Sequence, residues 1–151
     1  MRKFLVVVDE TPECMNAIRF GARRAQKTGG GLQMLFVIQP EEFQHWVGVG
    51  EIMRWEKREA AENRFKEAAK LLEQNVGITP EFVIREGEPV EEVLAQVRDD
   101  REVGVLVLGA GTENGPGPLV SHLVGKLAGD LPVPVTVVPG GLSRDEVIAL
   151  A

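Results

Sequence analysis

The chain has 151 residues, 44% of them hydrophobic and 26% charged, and a formal net charge of −6. That composition is of a folded soluble domain, and the acidic balance argues against non-specific nucleic-acid binding, which needs Lys and Arg in excess. No apolar run approaches the ~18 residues of a membrane span. The apolar start stops at Asp9, too short for a secretory signal. Cys14 is the only cysteine and makes no intrachain disulfide, so a cytoplasmic protein is expected.

Phe4-Leu5-Val6-Val7-Val8 is a continuous β-branched run, the pattern of a strand buried on both faces. Thr11-Pro12 reads as the N-cap and first position of a helix with Ala17, Ile18, Gly21 and Ala25 inward, ended by Gly29-Gly30-Gly31. Leu32 to Ile38 is a second buried strand, and residues 41–50 form a loop carrying Phe43, Trp46, Val47 and Val49. A long helix follows over about 51–74, with Ile52, Trp55, Ala61, Phe65, Ala68 and Leu72 on its apolar stripe. Pro80 to Arg85 is the third strand, and Gly87-Glu88-Pro89 opens a helix with Val90, Val93, Leu94 and Val97 inward. Residues 103–108 make the fourth strand, a helix spans about 119–129, and Val135 to Val138 is the fifth strand. Ser143 and Glu146 fit a capping box for a short, loosely docked terminal helix.

Strand and helix in alternation, with continuously apolar strands, predict a mostly parallel five-stranded sheet covered by helices on both faces. In such sheets ligands bind beyond the carboxyl ends of the strands, where strand order reverses. With the order 3-2-1-4-5 that point lies between strands 1 and 4. Strand 1 ends at Asp9, and strand 4 runs into the glycine-rich segment Gly109-Ala110-Gly111-Thr112-Glu113-Asn114-Gly115-Pro116-Gly117-Pro118. Glycines let backbone approach a ligand closely, and a helix N-terminus after them favours phosphate. Asp9 therefore reads either as a ligand contact or as a turn residue.

Two familiar nucleotide-fold relatives do not fit. A dinucleotide-binding domain carries its glycine fingerprint after strand 1, and here that turn reads Asp9-Glu10-Thr11-Pro12-Glu13. A phosphorylatable receiver would need an acid ending strand 3 and a lysine after strand 5. The chain has Ile84-Arg85-Glu86-Gly87 and Val138-Pro139-Gly140 instead.

Taken in order, Leu5-Val6-Val7-Val8-Asp9, Val83-Ile84-Arg85-Glu86-Gly87-Glu88-Pro89, Val105-Leu106-Val107-Leu108-Gly109 and Leu131-Pro132-Val133-Pro134-Val135-Thr136-Val137-Val138 resemble the universal stress protein family over roughly residues 2–139. The resemblance implies an adenine nucleotide alpha-hydrolase-like domain over residues 1–140, with 141–151 as a tail. It also implies a homodimer paired through the strand at Val135–Val138, and in some members ATP binding. In those members the acid after strand 1 and backbone near the end of strand 2 hold adenosine, here Val8, Asp9 and Val37. A loop of pattern Gly-x2-Gly-x9-Gly-Ser/Thr holds ribose and phosphates, here Gly109, Gly111 or Thr112, Gly115, and Ser121-His122 in place of Gly-Ser. A rival register ends at Gly125-Lys126. Ser at 121 adds a Cβ where backbone should approach phosphate, His122 is bulky, Glu113 is negative, and Pro116 and Pro118 lack N–H donors.

Other residues point less clearly to chemistry. His45, His122 and Cys14 have no metal-ligand spacing. Cys14 reads as a packing residue or as a thiol at a helix start, and Trp46 as a lid or a core residue. The expected function is a stress-response protein in which an adenine nucleotide (ATP or AMP, with or without Mg) acts as a switch, with at most slow ATP hydrolysis. The alternative is a dimeric interaction module that has lost nucleotide binding. An unidentified protein partner is expected, and neither a nucleic acid nor a membrane.

Overall fold

The computed structural model describes residues 2–40 and 50–151. Five parallel strands, β1 (Lys3–Val7), β2 (Gly31–Ile38), β3 (Glu81–Glu86), β4 (Val103–Ala110) and β5 (Val135–Pro139), form one sheet in the order β3-β2-β1-β4-β5. Helices α1 (Glu13–Thr28), α2 (Gly50–Asn75) and α5 (Arg144–Leu150) pack on one face over Val6, Met34, Phe36 and Val107. Helix α3 (Pro89–Asp99) and the short α4 (Pro118–Val120) cover the other, over Leu5, Leu35, Leu106 and Leu108. Alternate residues of each apolar strand thus feed opposite cores, as a sheet buried on both faces requires.

Several elements differ from their sequence reading, each for a local reason. Thr11 does not cap α1: Pro12 occupies the cap position without a side-chain bond, while the Thr11 hydroxyl and N–H both turn to Asp9 Oδ1. The apolar stripe of α2 is buried only from Ala61 onward, at Phe65, Ala68 and Leu72, whereas Ile52 and Trp55 are 60% and 64% exposed. With 26 residues α2 is about 39 Å long, and its first turns overshoot the strand ends. There it is tied by Arg54 to Glu86 and Lys57 to Glu10. The helix expected over 119–129 is α4 continued by a wide π turn (Ser121–Lys126) and a 3-10 turn (Ala128–Asp130). The π turn keeps Leu123 fully buried while Leu127 N–H bonds back to the His122 carbonyl. The aromatic segment with Phe43, Trp46, Val47 and Val49 lies outside the described residues.

The terminal helix α5 is firmly attached. Ser143 and Glu146 close a reciprocal capping box, and Val147 is fully buried. Asn16 of α1 donates to the Pro139 and Leu142 carbonyls, fixing the chain that leads into α5.

Candidate functional site

At the carboxyl end of the sheet the strand order reverses between the paired neighbours β1 and β4. Asp9 stands just past β1. Its Oδ1 accepts the Thr11 N–H at 2.9 Å and the Thr11 hydroxyl, so it is a turn residue. Oδ2 has no hydrogen-bond partner among the described residues. The turn is held from behind: the Cys14 thiol donates to the Asp9 carbonyl at 3.3 Å, and Arg64 Nη2 donates to the Thr11 carbonyl at 3.0 Å and to Cys14 Sγ at 3.1 Å. Burial pushes the Cys14 thiol up from its ordinary pKa, against the hydrogen bonds to Arg64 and the Asp9 backbone that lower it.

Opposite, the end of β4 leans on the first turn of α1. A Cβ at Gly109 would stand 2.7 Å from the Glu13 carbonyl oxygen, so only glycine allows this approach. Beyond it the loop folds on itself, Gly111 N–H donating to the Pro116 carbonyl at 3.2 Å. Gly115 and Gly117 take φ of 78° and 102°, a region that L side chains avoid, and nothing stands within 4 Å of where their side chains would be. The loop is thus tightly shaped but open on the side facing the crevice.

The crevice encloses a cavity of about 580 Å³, within the roughly 300–1,000 Å³ of small-molecule sites. It is bounded by Val7 to Asp9 and Thr11 to Glu13, by Val37 and Gln39 from the end of β2, by Leu108 and Gly109, and by Gly111 to Val120. Of the residues expected from sequence, Val8, Asp9, Val37, Gly109, Gly111, Thr112 and Gly115 lie on its wall. Ser121 and His122 do not: both are exposed on the π turn, where Ser121 N–H bonds the Gly117 carbonyl and His122 Nδ1–H the Pro118 carbonyl. Gly125 and Lys126 of the rival register are also off the wall.

Sequence reasoning passed over Glu13, Gln39 and Pro89, which also line the cavity. Glu13 could have been found from its place as the first residue of α1, four residues after Asp9. Its carboxylate lies against Gly111, with Oε2 3.3 Å from where a Cβ there would stand. The wall carries Asp9, Glu13 and Glu113 and, among the described residues, no Lys, Arg or His. No cluster of His, Cys, Asp or Glu among the described residues is arranged to hold a metal ion. No described helix is long and apolar enough to cross a membrane.

Comparison with known proteins places this geometry. No protein of curated function matches the sequence significantly. The fold is shared with universal stress protein UspA from Lactobacillus plantarum, at 19% identity and a TM-score of 0.79 over 91% of this chain and 97% of that one. It is also shared with a universal stress protein solved in complex with cAMP (17% identity, TM-score 0.58, 93% and 98% covered). A third likeness is to a universal stress protein from Archaeoglobus fulgidus in complex with dAMP (14% identity, TM-score 0.61, 91% and 98% covered). The model of the universal stress protein family matches residues 1–139, and the chain belongs to that family.

Proposed function

We propose that this protein takes part in stress responses by binding an adenine nucleotide in the crevice between Asp9 and the 109–117 loop, and that occupancy acts as a switch. The observation that carries the reading is the cavity of about 580 Å³ at the reversal point of the sheet, walled by the acid that ends β1 and the glycine loop that ends β4. Relatives of the same fold were solved with cAMP and dAMP, which supports an adenine ligand here. In this reading Asp9 Oδ2 accepts from the ribose or base, Val8 and Val37 supply apolar wall and backbone, and Thr112 and Gly115 lie toward the phosphate end. Gly109 and Gly111 give the loop its close approach. Among the described residues the wall carries carboxylates but no Lys, Arg or His beside them, and in this reading the site binds nucleotide with at most slow hydrolysis. The switch would be read at β5, the open edge of the sheet, by pairing with a second copy through Val135–Val138 or by an unidentified protein partner.

The competing reading, a dimeric interaction module without nucleotide, is favoured by Ser121 and His122 standing off the wall and by the missing N–H donors at Pro116 and Pro118. Mass spectrometry of small molecules released by acid from fresh protein, with thermal shift against ATP, AMP and cyclic AMP, separates the two. A ligand at 100 times its Kd adds about 2.7 kcal/mol to stability. The expected result is a raised melting temperature that Asp9→Ala abolishes. No nucleotide and no shift at millimolar ligand would establish the interaction module.

A further inference from the structure

The adenine-site reading leaves open which part of the ligand the crevice selects, and the charges on its wall answer differently from the glycine loop. A phosphate-binding loop works by offering uncommitted N–H donors and nearby cations. Here Gly111 N–H is already given to the Pro116 carbonyl, and Pro116 and Pro118 have none to give. Glu13 reaches the same stretch of loop from α1, its carboxylate against Gly111, and Glu113 lies within the loop itself. No Lys, Arg or His among the described residues lines the cavity. On the Asp9 side, Arg64 is engaged with the Thr11 carbonyl and Cys14 sulfur behind the turn, and Lys57 pairs with Glu10. A concave site lined by one sign of charge focuses its field inward and repels ligands of the same sign.

Resting on the adenine-site reading, we propose that among adenine ligands the crevice binds the uncharged nucleoside more tightly than its phosphorylated forms, with Glu13 and Glu113 weakening binding as negative charge is added. Asp9 and the end of β2 then bind the nucleoside, while the loop end of the cavity remains a place where each added negative charge weakens binding. Like charges brought together on binding lower affinity, and salt screens such repulsion where it is exposed.

Calorimetric titration of the intact protein with adenosine, AMP and ATP, each with and without Mg2+, at low and high salt, tests this. The same series is run on the Glu13→Gln/Glu113→Gln double variant, whose side chains keep their shape and lose their charge. Adenosine should bind tightest, by at least about tenfold over ATP, the equivalent of about 1.4 kcal/mol. That gap should shrink in the double variant and at high salt. AMP or ATP binding as tightly as adenosine, with or without Mg2+, overturns the nucleoside preference and leaves the adenine site standing. A gap that the double variant does not change also overturns it, since the two carboxylates would not be its cause. If none of the three binds, the adenine site fails and this inference fails with it.

Discussion

The two ends of the sheet use their charges in opposite ways. At the amino ends of the strands, Lys3 Nζ meets Asp100 at 2.8 Å, Glu81 at 3.1 Å and Glu102 at 3.8 Å. Gln33, buried in the middle of the sheet, donates to Glu81 and Asp100 and accepts from Gln96, which in turn accepts from Arg85. Each of these side chains has at least one partner inside the protein, so the network ties the amino ends of the strands together. At the carboxyl ends, Asp9, Glu13 and Glu113 face a cavity with no cation on its described wall. Charges that satisfy one another stabilise a fold, and charges that face an open space select what enters it.

The largest effect should come from opening the closed end. Lys3→Met leaves Asp100 and Glu81 without their shared ammonium donor and should cost roughly 1.5–3 kcal/mol in urea denaturation. An unchanged midpoint would show the network to be incidental. Gly109→Ala drives a Cβ into the Glu13 carbonyl and should cost about 1–3 kcal/mol while distorting the crevice.

The pH dependence follows from the same network. The Lys3 ammonium holds the Asp100 carboxyl below its usual range, with burial opposing and the Glu102 N–H and Gln33 assisting. A depressed folded pKa gives stability that is complete above the unfolded value, ~3.9. It is lost as pH falls through the lower folded value. Lys3 is shifted upward, chiefly by Asp100, so its share persists through neutral pH and is lost only as pH rises through its raised value. Stability measured from pH 6 to pH 2 should therefore fall on the acid side, and Asp100→Asn should remove about 1 kcal/mol of that fall. A variant with the same acid limb as the parent would place the titrating groups elsewhere.

The smallest effect sharpens the contrast from the other end. Glu13→Gln and Glu113→Gln, singly, should change stability by no more than about 0.5 kcal/mol, because neither carboxylate has a side-chain partner among the described residues. A larger loss would make these acids structural, like Asp100.

Much of the fold was readable because its strands are continuous. Phe4–Val8 and 103–108 could only be strands buried on two faces, and with helices between them only a parallel sheet follows. Asp9 and the glycine loop were legible for a related reason: each terminates such a strand, and strand order then puts them together. What was hidden depends on distance along the chain. Gln33 sits in an apolar run, and its partners Glu81, Gln96 and Asp100 lie 48, 63 and 67 residues away, so no local pattern announces them. Thr11 matched a cap by residue type, but Asp9 two residues earlier offered its hydroxyl and N–H a nearer acceptor. Ser121 and His122 entered the candidate site by counting loop residues, and the π turn that buries Leu123 moves them out of it.

The central claim is that the carboxyl end of this sheet is a ligand site while the amino end is sealed. Its most direct test is a titration of backbone amide NMR signals with adenosine, followed in wild type and in Asp9→Asn, which keeps an acceptor oxygen for Thr11. The expected result is saturable shifts at Asp9, Val37 and the 109–117 loop, none at Lys3, Gln33 or Asp100, and loss of saturation in the variant. Shifts absent from the crevice, or unchanged by Asp9→Asn, would contradict it.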